Sequence, residues 1–108
     1  MRALIPPFPE GSEADSLQEW RIRIDLIDRL VLALLNERAV CANRIGRLKK
    51  QQGMPVYVPS REDEVLRNVM ESNRGPLPDA SVKHLFERII DEIRALERRY
   101  VQGEQGEG

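Results

Sequence analysis

Between Ser16 and Lys50 the chain contains no proline and one glycine, Gly46, while apolar residues recur at steps of three and four: Ile24, Ile27, Val31, Leu34, Cys41, Ile45 and Leu48. That spacing draws a continuous apolar stripe along one α-helix. A helix of roughly 35 residues is about 50 Å long. A domain of about 100 residues has a radius of gyration of only about 13 Å. Such a rod projects beyond its own subunit and needs a second chain to cover its stripe, which predicts a homodimer.

One member of the stripe is charged. The step between Leu34 and Cys41 is filled by Arg38, whose guanidinium keeps its proton and is rarely left unpaired in an apolar seam. A carboxylate must meet it there, either from the protein or from a ligand. A salt bridge to Glu62 or to another acid of a neighbouring helix is the plainer reading. Lys49 follows Arg38 by eleven positions, so the two differ by about 20° in direction and by about 16 Å along the axis. Arg21 lies about 100° around the helix from Arg38 and about 25 Å away. One rigid helix cannot bring Arg21 and Arg38 to one small ligand, whereas two antiparallel copies can.

The rest of the chain reads as helix too. Aromatic residues are 5% of the sequence, and no alternating run of Val, Ile, Thr or Tyr marks a strand. Gln51 to Pro59, with Gly53, Pro55 and Pro59, reads as a loop. Ser60 is placed to cap a short second helix, with Asp63 at the capping-box position. That helix carries Val65, Leu66, Val69 and Met70 on one side and stops near Asn73, before Gly75, Pro76 and Pro78. Asp79 is placed to cap a medium third helix with Val82, Leu85, Phe86, Ile89, Ile90 and Ile93 as its stripe, continued by Tyr100 and Val101. The fold class is therefore all-α, with long, short and medium helices in one domain over residues 15–102. Residues 1–14 read as a flexible proline-containing arm and 103–108 as a disordered Gly/Glu tail.

Composition removes several functions. Lys+Arg 17 against Asp+Glu 18 leaves no basic excess for general nucleic-acid binding. One cysteine, Cys41, supports neither a disulfide framework nor a thiolate metal cluster, and it reads as part of the core in a reducing compartment. His84 is the only histidine, and metal ligation would need partners that the chain lacks. With no run long enough for a signal peptide or a bilayer span, the expected location is the cytoplasm.

Several polar residues still point inward. Glu97 follows Ile93 by four and Ile90 by seven, which puts it on the inner stripe of the third helix. A carboxyl group in apolar surroundings is expected to have a raised pKa and to donate a hydrogen bond while protonated. Arg61 and Glu62 open the second helix and are expected to face the same cavity. Arg44, Arg47 and Lys50 read as a solvated basic helix end. Glu92 and Arg94 read as surface charges.

The stretch Trp20-Arg21-Ile22-Arg23-Ile24-Asp25-Leu26-Ile27-Asp28, followed by Leu34-Leu35-Asn36-Glu37-Arg38, Ile45-Gly46 and Lys49, resembles the first helix of the all-helical (AroQ-class) chorismate mutases. Pro55-Val56-Tyr57, Arg61-Glu62, Leu85-Phe86-Glu87-Arg88-Ile89-Ile90 and Glu97 continue the resemblance in order, over roughly residues 16–100. It implies an intertwined homodimer that converts chorismate to prephenate, with no cofactor, in phenylalanine and tyrosine biosynthesis. By resemblance, Arg21 of the partner and Arg38 grip carboxylates, Lys49 serves the ether oxygen and a carboxylate, and Arg61 adds positive field. Glu62 accepts the ring hydroxyl, and Glu97 donates to the ether oxygen. Two positions depart from the family pattern: Val58 stands where many members place an acid that helps bind the hydroxyl, and Ile93 stands where some members have serine and offers only apolar wall. Two alternatives stay open here, an isochorismate pyruvate lyase on the same scaffold and a non-catalytic helical dimer that binds a partner. Because the chain stops soon after the third helix, a free-standing enzyme is expected.

Overall fold

The computed structural model describes residues 16–55 and 57–107, with 100–107 described by backbone alone. Three helices follow one another: α1 (Leu17–Gln51), α2 (Pro59–Ser72) and α3 (Asp79–Glu107). There is no strand among the described residues. The expected arm of residues 1–14, Val56, and the side chains of Tyr100 and Val101 lie outside the described residues.

Compact units divide the chain at Arg38, into residues 1–38 and 39–108. In the first, α1 starts where its sequence directs it. Ser16 Oγ accepts the Glu19 N–H at 3.1 Å and the Ser16 carbonyl accepts from Trp20 at 3.3 Å, so an orphan amide of the first turn is satisfied. Leu17, Ile22, Ile24, Val31, Leu32 and Leu34 are exposed, Leu34 to 60%. No residue of α1 is buried anywhere along its length. Cys41, read from sequence as core, is exposed as well, because among the described residues nothing closes over it.

In the second unit α1 ends in a Schellman motif. Gly53 N–H donates to the Lys50 carbonyl at 3.3 Å and Met54 N–H to the Lys49 carbonyl at 2.8 Å, the paired bonds that reverse the chain around a left-handed residue. Gly53 takes that conformation at φ 67°, which a residue with a Cβ adopts only at a cost.

The start of α2 differs from the expectation. Its N-cap is Val58, in extended conformation and with no side-chain cap bond, and Pro59 stands at the first helical position. Proline suits that place because its fixed φ is helical and its missing N–H would find no intrahelical acceptor there. Ser60 and Asp63 therefore lie inside the helix and form no capping box.

Asn73 organises the α2–α3 turn. Its Nδ2 donates to the Leu77 carbonyl at 2.7 Å and to Asp79 Oδ1 at 2.8 Å, and its Oδ1 accepts the Gly75 N–H at 3.0 Å. Asp79 is thus the first residue of α3 rather than its cap. The Pro78 carbonyl accepts from Ser81 and Val82 at 3.0 and 3.1 Å, while the Asp79 carboxylate still sits favourably at the positive end of the helix.

α2 packs on α3. Val65, Leu66, Val69 and Met70 of α2 and Phe86, Ile89, Ile90 and Ile93 of α3 are half-buried, and Val82 is buried, at 8% exposure. Leu85, assigned to the α3 stripe, is exposed instead. α3 continues as helix through Glu107, into the stretch whose composition suggested a tail. Each added residue there gains one intrahelical hydrogen bond without a new nucleus.

Candidate functional site

The two units divide the candidate residues. Arg21 and Arg38 belong to the first unit, Arg21 exposed and Arg38 half-buried. Among the described residues of that unit, no ion pair engages Arg38. Lys49, Val58, Arg61, Glu62, Ile93 and Glu97 belong to the second. Lys49 is half-buried in the last turn of α1, immediately before the Schellman turn. Ile93 and Glu97 are half-buried on successive turns of α3.

Arg61 and Glu62, expected to share a cavity, turn apart. Neighbouring residues in a helix differ by about 100° in direction, and here the difference matters. Arg61 lies along α2 against Glu64, both more than half exposed. Glu62 faces α3, where its Oε1 meets Nη2 of Arg94. The two side chains of this pair are only 28% and 27% exposed, so the interaction is shielded from solvent to a degree that the Arg61–Glu64 pair is not. Glu62 is thereby engaged within its own unit.

Arg94 was read from sequence as a surface charge alongside Glu92. The structure separates the two. Glu92 pairs along the helix with Arg88 at 2.7 Å, while Arg94 points towards α2 and stacks over the Tyr57 ring, its Cζ 4.6 Å from the ring centroid. One guanidinium thus touches both the start of α2 and the loop that leads into it. The signal that could have found it is its position beside Ile93, between two residues of the inner stripe of α3. Val58 is half-buried at the cap of α2, where its side chain is an isopropyl group.

The second unit therefore carries a carboxylate held in place on α2, an amine at the end of α1, and a carboxyl group on α3 one turn beyond Ile93. None of these is a nucleophile next to a base.

Comparison with known proteins identifies the family. The profile of the family described as chorismate mutase type II matches residues 20–98. A bifunctional chorismate mutase/prephenate dehydratase of Stutzerimonas stutzeri is 41% identical over 92 residues, which cover 81% of this chain and 25% of that protein. The chain thus spans about a quarter of the length of such bifunctional relatives. A chorismate mutase of Methanocaldococcus jannaschii is 28% identical over 92 residues and is matched over 93% of its length, 84% of this chain. Among solved structures, the chorismate mutase of Thermus thermophilus in form II superposes with a TM-score of 0.74 at 38% identity, covering 77% of this chain and 94% of that one. The family match runs through all three helices, and on it this chain belongs to the chorismate mutase type II family.

Proposed function

We propose that this chain is a chorismate mutase that works as an intertwined homodimer, its catalytic domain spanning residues 15–102. The observation that carries the reading is the family match over residues 20–98, within which Arg21, Arg38, Lys49, Arg61, Glu62 and Glu97 fall in family order. Chorismate is a dianion, and its rearrangement to prephenate breaks the ether C–O bond while a C–C bond forms within the same molecule. The protein has to fold the enolpyruvyl arm over the ring and stabilise charge growing on the ether oxygen. Nothing is transferred to or from the enzyme.

Arg38 and the partner's Arg21 grip the two carboxylates, where the planar fork of a guanidinium gives bidentate geometry. Lys49 and a protonated Glu97 serve the ether oxygen. Arg61 adds positive field, Glu62 accepts the ring hydroxyl, and Val58 and Ile93 supply apolar wall. The exposed apolar residues of α1, among them Ile24, Val31, Leu34, Ile45 and Leu48, support the dimer, since a contiguous apolar face of this kind is characteristically covered. The same face gives the partner helix a reason to lie where Arg21 completes the site.

No helix among the described residues is long and apolar enough to cross a membrane. The unpaired, exposed Cys41 suits a reducing compartment, and the cytoplasm is the proposed location. The deciding assay follows chorismate absorbance after addition of purified protein, with prephenate identified as product. Persistence of chorismate, or release of salicylate and pyruvate from isochorismate in its place, sinks the proposal.

A further inference from the structure

Arg94 and Tyr57, which cluster with Glu62, have no role in the chemistry described so far. We infer that Arg94 is a positioning residue for the reaction: it orients the Glu62 carboxylate towards the substrate's ring hydroxyl, and this inference rests on the proposed mutase activity. Three observations support it. Glu62 and Arg94 meet across the α2–α3 interface with about a quarter of each side chain exposed. The same guanidinium stacks on the ring of Tyr57, in the loop that leads into α2. Val58, one residue after Tyr57 and at the cap of α2, has a hydrocarbon side chain that cannot accept from a hydroxyl.

With Val58 unable to share the task, recognition of the hydroxyl falls on one carboxylate, and the aim of that carboxylate matters more. A free glutamate at the start of a helix samples several rotamers, and each that turns away from the substrate weakens binding. An arginine that occupies Oε1 holds the side chain in one rotamer and leaves Oε2 to accept from the hydroxyl. Arg94 itself is committed to Glu62 on one side and to the Tyr57 ring on the other, so it acts through Glu62 and not on the substrate. The hydroxyl lies away from the bonds that break and form, and its contact is equally strong in ground and transition states. Its loss therefore raises KM and leaves kcat.

Steady-state kinetics with chorismate on the full chain, for Arg94→Met, Arg94→Lys, Glu62→Gln and the Arg94→Met/Glu62→Gln double variant, test this. Expected are a KM about tenfold higher for Arg94→Met, kcat within about twofold of the unaltered protein, recovery of most of the loss in Arg94→Lys, and a double variant no worse than Glu62→Gln alone. Multiplying losses in the double variant, or an unchanged KM with only a lowered urea midpoint for Arg94→Met, overturn the inference while leaving the mutase activity standing. Absence of turnover by the unaltered protein overturns both.

Discussion

Met54 N–H donates to the carbonyl of Lys49 at 2.8 Å, so the turn that carries the candidate ammonium group is closed by the same residues that begin the loop to α2. The bond exists because Gly53 adopts φ 67° between them. A Cβ at Gly53 would meet no atom within 4 Å, which leaves backbone strain as the whole effect of adding one. Gly53→Ala is expected to lower unfolding free energy by about 1–2 kcal/mol, read from urea midpoints at constant slope. An unchanged midpoint would show that the loop can re-route without the left-handed residue.

The exposed face of α1 gives a second expectation. Leu34 is 60% exposed in the chain by itself, so a carboxylate there meets water in a monomer and apolar surface in a dimer. Leu34→Glu should weaken self-association by about a hundredfold or more, and activity should fall in parallel as protein is diluted. Sedimentation measures the first and the chorismate assay the second. A dimer of undiminished affinity would place the interface elsewhere.

A site shared between subunits predicts complementation. Arg21→Ala and Arg38→Ala should each lose at least about a hundredfold in kcat/KM, as expected for removal of a charge-assisted, bidentate carboxylate grip. When the two inactive variants are mixed and allowed to exchange subunits, one site in each mixed dimer regains both arginines. Activity should then rise to about a quarter of that of the unaltered protein, the statistical share of restored sites in random pairing. A mixture as inactive as its components would mean that Arg21 does not cross to the partner.

For Glu97 the expectation concerns pH. Donation to the ether oxygen requires the protonated acid, so the competent fraction is complete below the pKa of Glu97 in the folded protein and declines as pH rises through it. kcat/KM should follow that decline. Glu97→Gln carries a permanent N–H donor and should flatten the profile on its alkaline side. A variant that keeps the slope of the unaltered protein would assign the titration to another group.

The sequence already contained the long helix. A stripe at steps of three and four, with no proline from Ser16 to Lys50, announced α1 to within a residue at each end. Gly53 marked where it stops, because few other residues occupy a left-handed turn. The half-buried faces of α2 and most of the α3 stripe followed from the same periodicity, with Leu85 the exception. Local chemistry misled where two residues competed for one task. Ser60 is a better cap than Val58 in isolation, yet Pro59 fits the first helical position and shifts the start of α2 before Ser60 can act.

What the tertiary structure decided is the pairing of charges. By spacing alone Arg94 was one more cation beside Glu92, and Glu62 an available acid. Their meeting depends on how α2 lies against α3, and that is set by the apolar residues between the helices and by the Asn73 turn, not by the charges themselves. Helical periodicity is a property of neighbours along the chain and can be read there. The partner of a side chain on another helix is fixed only when packing selects one relative orientation among many of similar local energy.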